Sequence, residues 1–319
     1  MSWLQKIFIV ILIFGMTIPV FVNAQEKGGV PPPSLADSTF SLDKLDSIFS
    51  YSDSLSIFNM IDSLLKSQSE VGSSLVVRAG FNSNIISAGR SIGVSQYGAT
   101  AGGSYYHKSG LYADVSMYWS EAYQPSLYLT TLSVGYLKTF FRNYTAMASY
   151  DRLIYNSTDI NVENPLTNML GLSNFVDIKP VTLRLDFSFY FGQKTAHRIT
   201  PGVSISLRKY KFLGLDRISF TPTYQMLFGS ATITSIQLAQ RNSVLLGRKL
   251  PIVQQTDSNE FGLMNHALSL PLRISKKNWS FTFSYSYNWP VALPKEESTL
   301  PENSYTSLTL SKMINFKSR

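Results

Sequence analysis

The sequence predicts an all-β chain that forms a transmembrane antiparallel β-barrel of about 12 strands, preceded by a short amphipathic helical segment. Three observations support this fold: a secretory-type leader, strands with one apolar and one polar face, and turns of two lengths. The clearest strand runs from Trp279 to Trp289, where every odd position is aromatic and every even position is Ser, Thr or Asn. Successive side chains of a strand point to opposite faces, so all the aromatic rings lie on one face.

Residues 1–24 are predicted to be a signal peptide. They contain Lys6, an apolar run over residues 7–22 and the small-residue ending Val22-Asn23-Ala24. A membrane anchor fits less well, because the run is shorter than the roughly 20 residues that a spanning helix needs. The chain has no cysteine, which excludes a lipoprotein cysteine, a disulfide framework and thiolate chemistry.

Residues 25–70 are predicted to be a linker followed by amphipathic helix, lying in the periplasm or plugging the barrel. The linker carries Pro31-Pro32-Pro33. Apolar residues then recur at steps of three and four, first in Leu42, Leu45, Ile48 and Phe49 and then in Leu55, Phe58, Ile61, Leu64 and Leu65. This region has three basic and seven acidic residues, a net charge of −4, whereas residues 71–319 have 24 basic and 13 acidic residues, a net charge of +11.

Residues 71–319 are predicted to form the barrel. Alternation is regular around residues 111–120, 181–191, 202–208, 267–274 and 307–316. In a soluble sandwich the apolar faces would pack on one another, but the sequence provides no second apolar layer, so we expect them to face lipid. Aromatic residues also gather near strand ends, as in the interfacial girdles of membrane barrels.

The connections predict how the strands alternate in direction. Short turns are expected after Tyr106, Phe140, Phe191 and Ser275, and long loops at residues 83–95, 157–179, 241–260 and 291–302. Strict alternation of the two kinds requires a rising strand over residues 231–241, with Phe228-Gly229-Ser230 as a short turn before it. The count then becomes twelve, an even number, with both chain ends at the short-turn rim.

With its leader, its alternation and a last strand ending Ile314-Asn315-Phe316, the chain resembles bacterial outer-membrane β-barrel proteins, without pointing to a particular family. Lys317-Ser318-Arg319 follows the terminal Phe, a departure from the usual ending. The Ser- and Asp-rich helical lead-in is also similar in composition to many Bacteroidota envelope proteins. The resemblance implies location in the bacterial outer membrane, in contact with membrane lipid and lipopolysaccharide.

Enzyme chemistry is not expected. The three histidines are His107, His197 and His266, and alternation places His266 and Ser269 on opposite faces, so they cannot act together. No phosphate-binding loop, metal-ligand pair or calcium loop is present in the sequence, so neither cofactor nor metal is predicted. The basic residues lie mostly in turns and at strand ends, where they meet lipid phosphates, so nucleic acid is not expected as a partner.

Charged residues facing the lumen are the candidate site. By parity they are Arg78, Asp114, Asp151, Arg184, Asp186, Arg208 and Arg273. They either line a solute path or form a salt-bridged, plugged interior. The leading hypothesis is a narrow channel or uptake pore for small, anion-leaning solutes, because arginine is in excess. The alternative is a non-enzymatic interaction or assembly barrel, whose long loops or residues 25–70 bind another envelope protein.

Overall fold

The computed structural model describes residues 73–84, 86–87, 90–91, 97–121, 125–141, 143–156, 166–242, 249–293 and 300–316. Of residues 86–87, 90–91, 231–242 and 249–259 it describes the backbone alone. The predicted signal peptide and helical segment lie outside these residues. Within them, no helix is long and apolar enough to cross a membrane.

Twelve antiparallel strands form the barrel. They are β1 (Ser74–Asn82), β2 (Gly98–Tyr106), β3 (Leu111–Trp119), β4 (Leu127–Phe141), β5 (Tyr144–Tyr155), β6 (Leu166–Ile178), β7 (Val181–Gly192), β8 (Thr195–Ile205 and Leu207–Phe212), β9 (Leu215–Phe220 and Thr223–Asn242), β10 (Lys249–Lys276), β11 (Trp279–Pro290) and β12 (Asn303–Asn315). A small hairpin, Ile86–Ser87 with Arg90–Ser91, lies between β1 and β2.

The sheet closes on itself because β1 pairs with both β2 and β12, while every other strand pairs with its neighbours in sequence. A path that steps from each residue to its paired residue on the next strand returns to β1 after one circuit of the barrel. It returns about 16 residues from its starting residue, and this displacement is the shear of the barrel. With twelve strands, this shear gives a strand tilt of about 43° and a backbone radius of about 12–13 Å.

Where side chains are described, most strands have one more exposed and one more buried face, which confirms the predicted alternation. On β11, Trp279, Phe281 and Phe283 are exposed, while Ser284, Ser286 and Asn288 between the aromatic residues are buried. The exposed apolar side chains belong to the outer face and the buried polar ones to the inner face. The fold is therefore the inverse of a soluble barrel, as expected for a protein surrounded by lipid.

The two rims of the barrel differ. Both chain ends and the connections β2–β3, β4–β5, β6–β7, β8–β9 and β10–β11 lie at one rim. In barrels of this kind the short-turn rim faces the periplasm, so the opposite rim faces outward. At the outer rim, β9 and β10 extend beyond the ends of the adjacent strands as a two-stranded ribbon. The ribbon contains twelve residue pairs, from Ala231–Glu260 to Asn242–Lys249. That ribbon is about 40 Å long.

The predicted count of twelve is confirmed, but the predicted division into strands is wrong at residues 228–230 and 157–179. Most of the loop expected at residues 241–260 also belongs to β10. Phe228-Gly229-Ser230 is not a turn: it continues β9, and a β-bulge between Leu227 and Phe228 absorbs the irregularity. Conversely, the expected long loop at residues 157–179 contains β6, so the turn after Phe191 lies at the outer rim. The two errors cancel in the count.

Strand β6 was missed because its two faces are chemically mixed. Its outer face carries Asn168 and Asn174 among apolar residues, and its inner face carries Met169 and Phe175. Tyr150 and Arg152 of β5 donate to Asn168 Oδ1, at 2.8 and 2.9 Å, and Tyr144 donates to Asn174 Oδ1 at 2.8 Å. These cross-strand hydrogen bonds satisfy the polar groups of the two Asn side chains. The alternation pattern predicts apolar residues at such lipid-facing positions, so it did not indicate a strand here.

Candidate functional site in the barrel lumen

The seven charged residues predicted to face the lumen all lie on the inner face of the described strands. Arg78, Asp114, Asp151, Asp186 and Arg273 are buried, and Arg184 and Arg208 are half-buried. The structure joins four of them into two ion pairs and separates the others. Their part in a solute path stays a prediction.

Arg78 and Asp114 form the most extensive polar network. Arg78 donates to both carboxylate oxygens of Asp114, at 2.7 and 2.9 Å, and its two terminal nitrogens also reach the hydroxyls of Ser104 and Ser116 at 2.5 Å. Ser104 and Ser116 in turn donate to Asp114. Such a bidentate, fully bonded pair neutralises both charges, so this part of the wall carries no net charge.

Arg184 and Asp186 pair within one strand, since positions two apart on β7 share a face. The guanidinium carbon of Arg184 also lies 5.7 Å from the ring centroid of Phe175 on β6. Asp151 on β5 accepts a 3.1 Å hydrogen bond from Ser149. Strands β1–β7 thus hold most of the inward carboxylates together with two of the arginines.

Two apolar clusters lie inside the barrel at the ends of this same wall. The outer-rim cluster consists of Tyr118, Tyr128, Leu129, Leu153, Leu166, Tyr190 and Ala196, with Tyr155 and Met169 packed on it. The periplasmic-rim cluster consists of Val76, Tyr106, Tyr112, Leu137 and Met147, with Met313. We call the inner face of β1–β7 the packed wall, because large buried side chains fill both of its ends.

The inner face of β9–β12 is different, and we call it the serine wall. Its inward residues include Arg217, Ser219, Thr223 and Gln225 of β9, Asn265, Ala267, Ser269, Pro271, Arg273 and Ser275 of β10, Ser280, Thr282, Ser284, Ser286 and Asn288 of β11, and Tyr305, Ser307, Thr309, Ser311 and Met313 of β12. Most of these side chains are short, so they extend less far into the lumen than the tyrosines opposite.

The exposure of inward side chains on β11 and β12 changes along the strands, whereas Arg273 and Ser275 of β10 are buried. Near the periplasmic rim, Ser280 and Thr282 of β11 are half-buried, and Thr309 and Ser311 of β12 are too. Toward the outer rim, the inward positions of both strands are buried: Ser284, Ser286, Asn288, Tyr305 and Ser307. On β11 and β12, inward side chains are thus more exposed near the periplasmic rim than toward the outer rim.

Sequence reasoning missed two inward arginines, Arg198 and Arg217. Arg198 lies 4.9 Å over the ring of Tyr190 and donates to its hydroxyl at 3.4 Å. Extending the predicted alternation of β8 back from Gly202 in steps of two reaches Arg198, so that signal was present. Arg217 lies two positions before the inward Ser219, on a segment too short to show alternation of its own.

The histidines lie away from the inner face. His107 contacts Ser109 in a periplasmic turn, and His197 stacks on Phe189 with ring centroids 4.9 Å apart. His266 Nδ1 lies 2.7 Å from the hydroxyl of Tyr224 on the outer face, opposite in direction to the buried Ser269. Among the described residues, no group of three His, Asp or Glu side chains is placed to hold a metal ion.

Comparison with known proteins gives matches among solved structures alone. No protein-family model matches the sequence, and no curated protein matches it significantly. A KdgM porin is 9% identical, with a TM-score of 0.41 over 75% of this chain and 98% of that one. An outer-membrane channel from Pseudomonas putida F1 is 13% identical, with a TM-score of 0.39 over 76% and 96%. The translocator domain of the autotransporter NalP from Neisseria meningitidis is 12% identical, with a TM-score of 0.39 over 82% and 97%.

The geometry of the barrel itself places it in a membrane. A closed antiparallel barrel leaves no open sheet edge within the hydrocarbon layer, and its exposed face is apolar over the length of the strands. An even number of strands with both ends at one rim is the arrangement of bacterial outer-membrane proteins. The chain is an outer-membrane β-barrel protein whose outer face contacts lipid.

Proposed function

We propose that this protein is a narrow, gated conduit for small anionic solutes across the outer membrane. The observation that carries the proposal is the division of the lumen into a packed wall and a serine wall. On this proposal, water and solutes pass along the hydroxyl-lined serine wall, and the half-buried positions of β11 and β12 near the periplasm support it. The path is thus off-centre and narrower than the backbone radius suggests.

Charge favours anions on this path. Three arginines, Arg208, Arg217 and Arg273, face inward where β8, β9 and β10 approach the periplasmic rim. An excess of fixed positive charge in a low-dielectric enclosure attracts anions and raises their local concentration.

The burial of the outer half of the serine wall implies that the lumen must open there before ions can pass. Ser284 and Ser286 are shielded from water although their side chains are short and face inward. We therefore expect the conduit to be mostly closed at rest, with brief openings.

Recording of single full-length proteins in planar bilayers tests this. We expect discrete current steps, and a reversal potential in a potassium chloride gradient that shows chloride to be the preferred ion. Absence of any current, both for the full-length protein and for a variant lacking residues 25–70, would refute the proposal.

A second candidate is a non-enzymatic interaction or assembly barrel of the envelope. The buried outer half of the serine wall favours it, since a lumen shut to water is compatible with a scaffold. Partner binding through residues 25–70 or the long loops, contact with lipopolysaccharide, and a plugging role for residues 25–70 all stay predictions. A partner that co-purifies with the full-length chain and is lost on deleting residues 25–70 would support this function, while recovery of a lone monomer from native membranes argues against it.

A further inference from the structure

We infer that the outer face of β10–β12 carries, at the periplasmic rim, a binding site for the headgroup of an anionic phospholipid of the phosphoglycerol class. The site consists of Lys276, Trp279 and Lys312, with Lys277 in the turn beside them. It faces the membrane rather than the lumen. The inference therefore goes beyond the proposed conduit and does not depend on whether the lumen conducts.

The three side chains of the site stand in one row across three strands. Trp279 is the ladder partner of Lys276 on β10 and of Lys312 on β12. Ladder partners point to the same face of a sheet, and their Cα atoms lie about 5 Å apart. The Cα atoms of the two lysines are therefore about 10 Å apart, with the indole between them. The ammonium of Lys312 lies 5.1 Å from the centroid of the Trp279 ring.

The row lies where the apolar band of the barrel ends. Trp279 is the first residue of β11, directly after the turn at the periplasmic rim. Above it the outward residues Phe281 and Phe283 are exposed, as is Leu310 on β12. Tryptophan at such a border lies at the level of the lipid headgroups, and lysine extends its ammonium toward them. A bound lipid thus places its headgroup at the lysines and its acyl chains on the apolar residues, which distinguishes it from a free phosphate ion.

The charge of the site favours a headgroup with a net negative charge. Lys276, Lys277 and Lys312 are exposed, and Asp216 of β9 accepts a hydrogen bond from the amide nitrogen of Lys277. Three lysines and one aspartate give these four residues a net charge of +2. An ammonium donates up to three hydrogen bonds and binds phosphate as a point charge. A zwitterionic headgroup carries a cationic group of its own, which the lysines repel, so phosphatidylglycerol should bind more tightly than phosphatidylcholine.

Lys138 of β4 provides a matched control. It is exposed near the same rim, and its ammonium lies 5.4 Å from the ring centroid of Phe140. Its ladder partner on β5 is Ala146. Lys138 therefore has the charge and the aromatic contact of Lys312 without the row of two lysines around a tryptophan. Lys138→Gln separates the effect of net charge from that of the site.

The test is fluorescence quenching of Trp279 in the full-length protein, reconstituted into vesicles of mixed phosphatidylglycerol and phosphatidylcholine. Trp3, Trp119 and Trp289 are first changed to Phe, which leaves Trp279 as the single tryptophan. Bromine atoms near the carbonyl end of the acyl chains quench its fluorescence, and each of the two lipids carries them in turn. The quenching by each lipid gives the ratio of their binding constants at the site.

We expect phosphatidylglycerol to be preferred by about tenfold or more at low salt, since a lysine near an anionic surface contributes a factor of about five. Lys276→Gln and Lys312→Gln should each lower the preference by about that factor, whereas Lys138→Gln should leave it unchanged. Potassium chloride at about 1 M should lower the preference too, because salt screens exposed charges. Retention of the heat-modifiable folded band on gels shows that each variant is folded.

Equal quenching by the two lipids in the single-tryptophan protein would refute the site. An unchanged preference in both folded lysine variants, or an equal loss in Lys138→Gln, would refute it as well. A preference that appears only after residues 25–70 are deleted would assign the lysines to that acidic segment instead of to a lipid. If the lysine variants fail to fold, the salt series decides, and a preference that persists unchanged at about 1 M salt contradicts the site.

Discussion

Arg78 of β1 and Asp114 of β3 face each other across an intervening strand, joined by two hydrogen bonds of 2.7 and 2.9 Å. Gly102 of β2 lies between them, and a Cβ atom there would sit 3.1 Å from the Arg78 guanidinium nitrogen. The arginine side chain therefore lies flat on the wall, across the one position that carries no side chain. Both partners are less than a tenth exposed, with relative side-chain accessibilities of 8% and 5%.

Removing one partner of this pair should destabilise the barrel strongly. Arg78→Met or Asp114→Asn leaves a buried charge without its counter-ion, at a cost of about 3–5 kcal/mol. The measurement is urea-induced unfolding in lipid vesicles, followed by tryptophan fluorescence. In the double variant Arg78→Met/Asp114→Asn both charges are gone, so we expect most of the loss to be recovered. Additive losses in the double variant would show that the pair is not coupled.

Gly102→Ala should lower the free energy of unfolding of the barrel by about 1–3 kcal/mol, because overpacking forces neighbouring atoms apart. The added carbon would meet the Val115 carbonyl oxygen at 2.7 Å, and backbone cannot yield easily. Gly103→Ala is the control, since its added carbon meets nothing closer than the Val76 carbonyl oxygen at 3.8 Å. The same unfolding assay compares the two. Equal stability of both variants would contradict the close packing of Arg78 over β2.

Ion selectivity should respond to Arg208 but not to its neighbour Lys209. Arg208 faces the lumen and Lys209 faces outward, so Arg208→Gln removes a fixed charge from the solute path and Lys209→Gln does not. We expect the reversal potential in a salt gradient to move toward cation preference in Arg208→Gln alone. Equal shifts would mean that surface charge sets selectivity, and no shift in either would remove Arg208 from the path.

The two faces of β11 should tolerate a charge differently. Phe283 is exposed to lipid in the middle of the strand, so Phe283→Lys is expected to cost about 2–4 kcal/mol and to lower the yield of folded barrel. Thr282→Lys places the same side chain in the half-buried lumen and should fold normally. Folding into lipid vesicles, followed by gel mobility before and after heating, distinguishes them. Equal folding of both variants would contradict the assignment of lipid-facing and lumen-facing sides.

Alternation along the chain was sufficient for the faces of most strands, because side-chain direction in a strand depends on parity alone. Phe281 and Phe283 point outward and Ser284 inward, as the pattern predicts, and the inward direction of Arg78, Asp114 and Asp186 follows in the same way. The even strand count also followed, although by compensating errors.

The strand boundaries could not be predicted from alternation, because they depend on hydrogen bonding between neighbouring strands. Leu166–Ile178 mixes polar and apolar residues on both faces, and it forms a strand because Tyr144, Tyr150 and Arg152 of the neighbouring strand bond its outward amides. Gly229 looks like a turn residue in sequence but continues β9, since it pairs with Arg198 and Gly262. Such partners are far apart in the chain, so no local pattern encodes them.

The sequence by itself was enough to assign each side chain to the lumen or to the lipid face of the barrel. This assignment depends only on whether a residue is at an odd or even position in its strand, which is a local property. Which inward residues meet was settled by the register between neighbouring strands, since register determines which residues of different strands stand at one height. Register pairs Arg78 with Asp114, gathers the tyrosines and leucines at the ends of one wall, and leaves Arg217 and Arg273 beside a row of serines on the other. The division of the lumen into two walls is therefore a consequence of register across twelve strands.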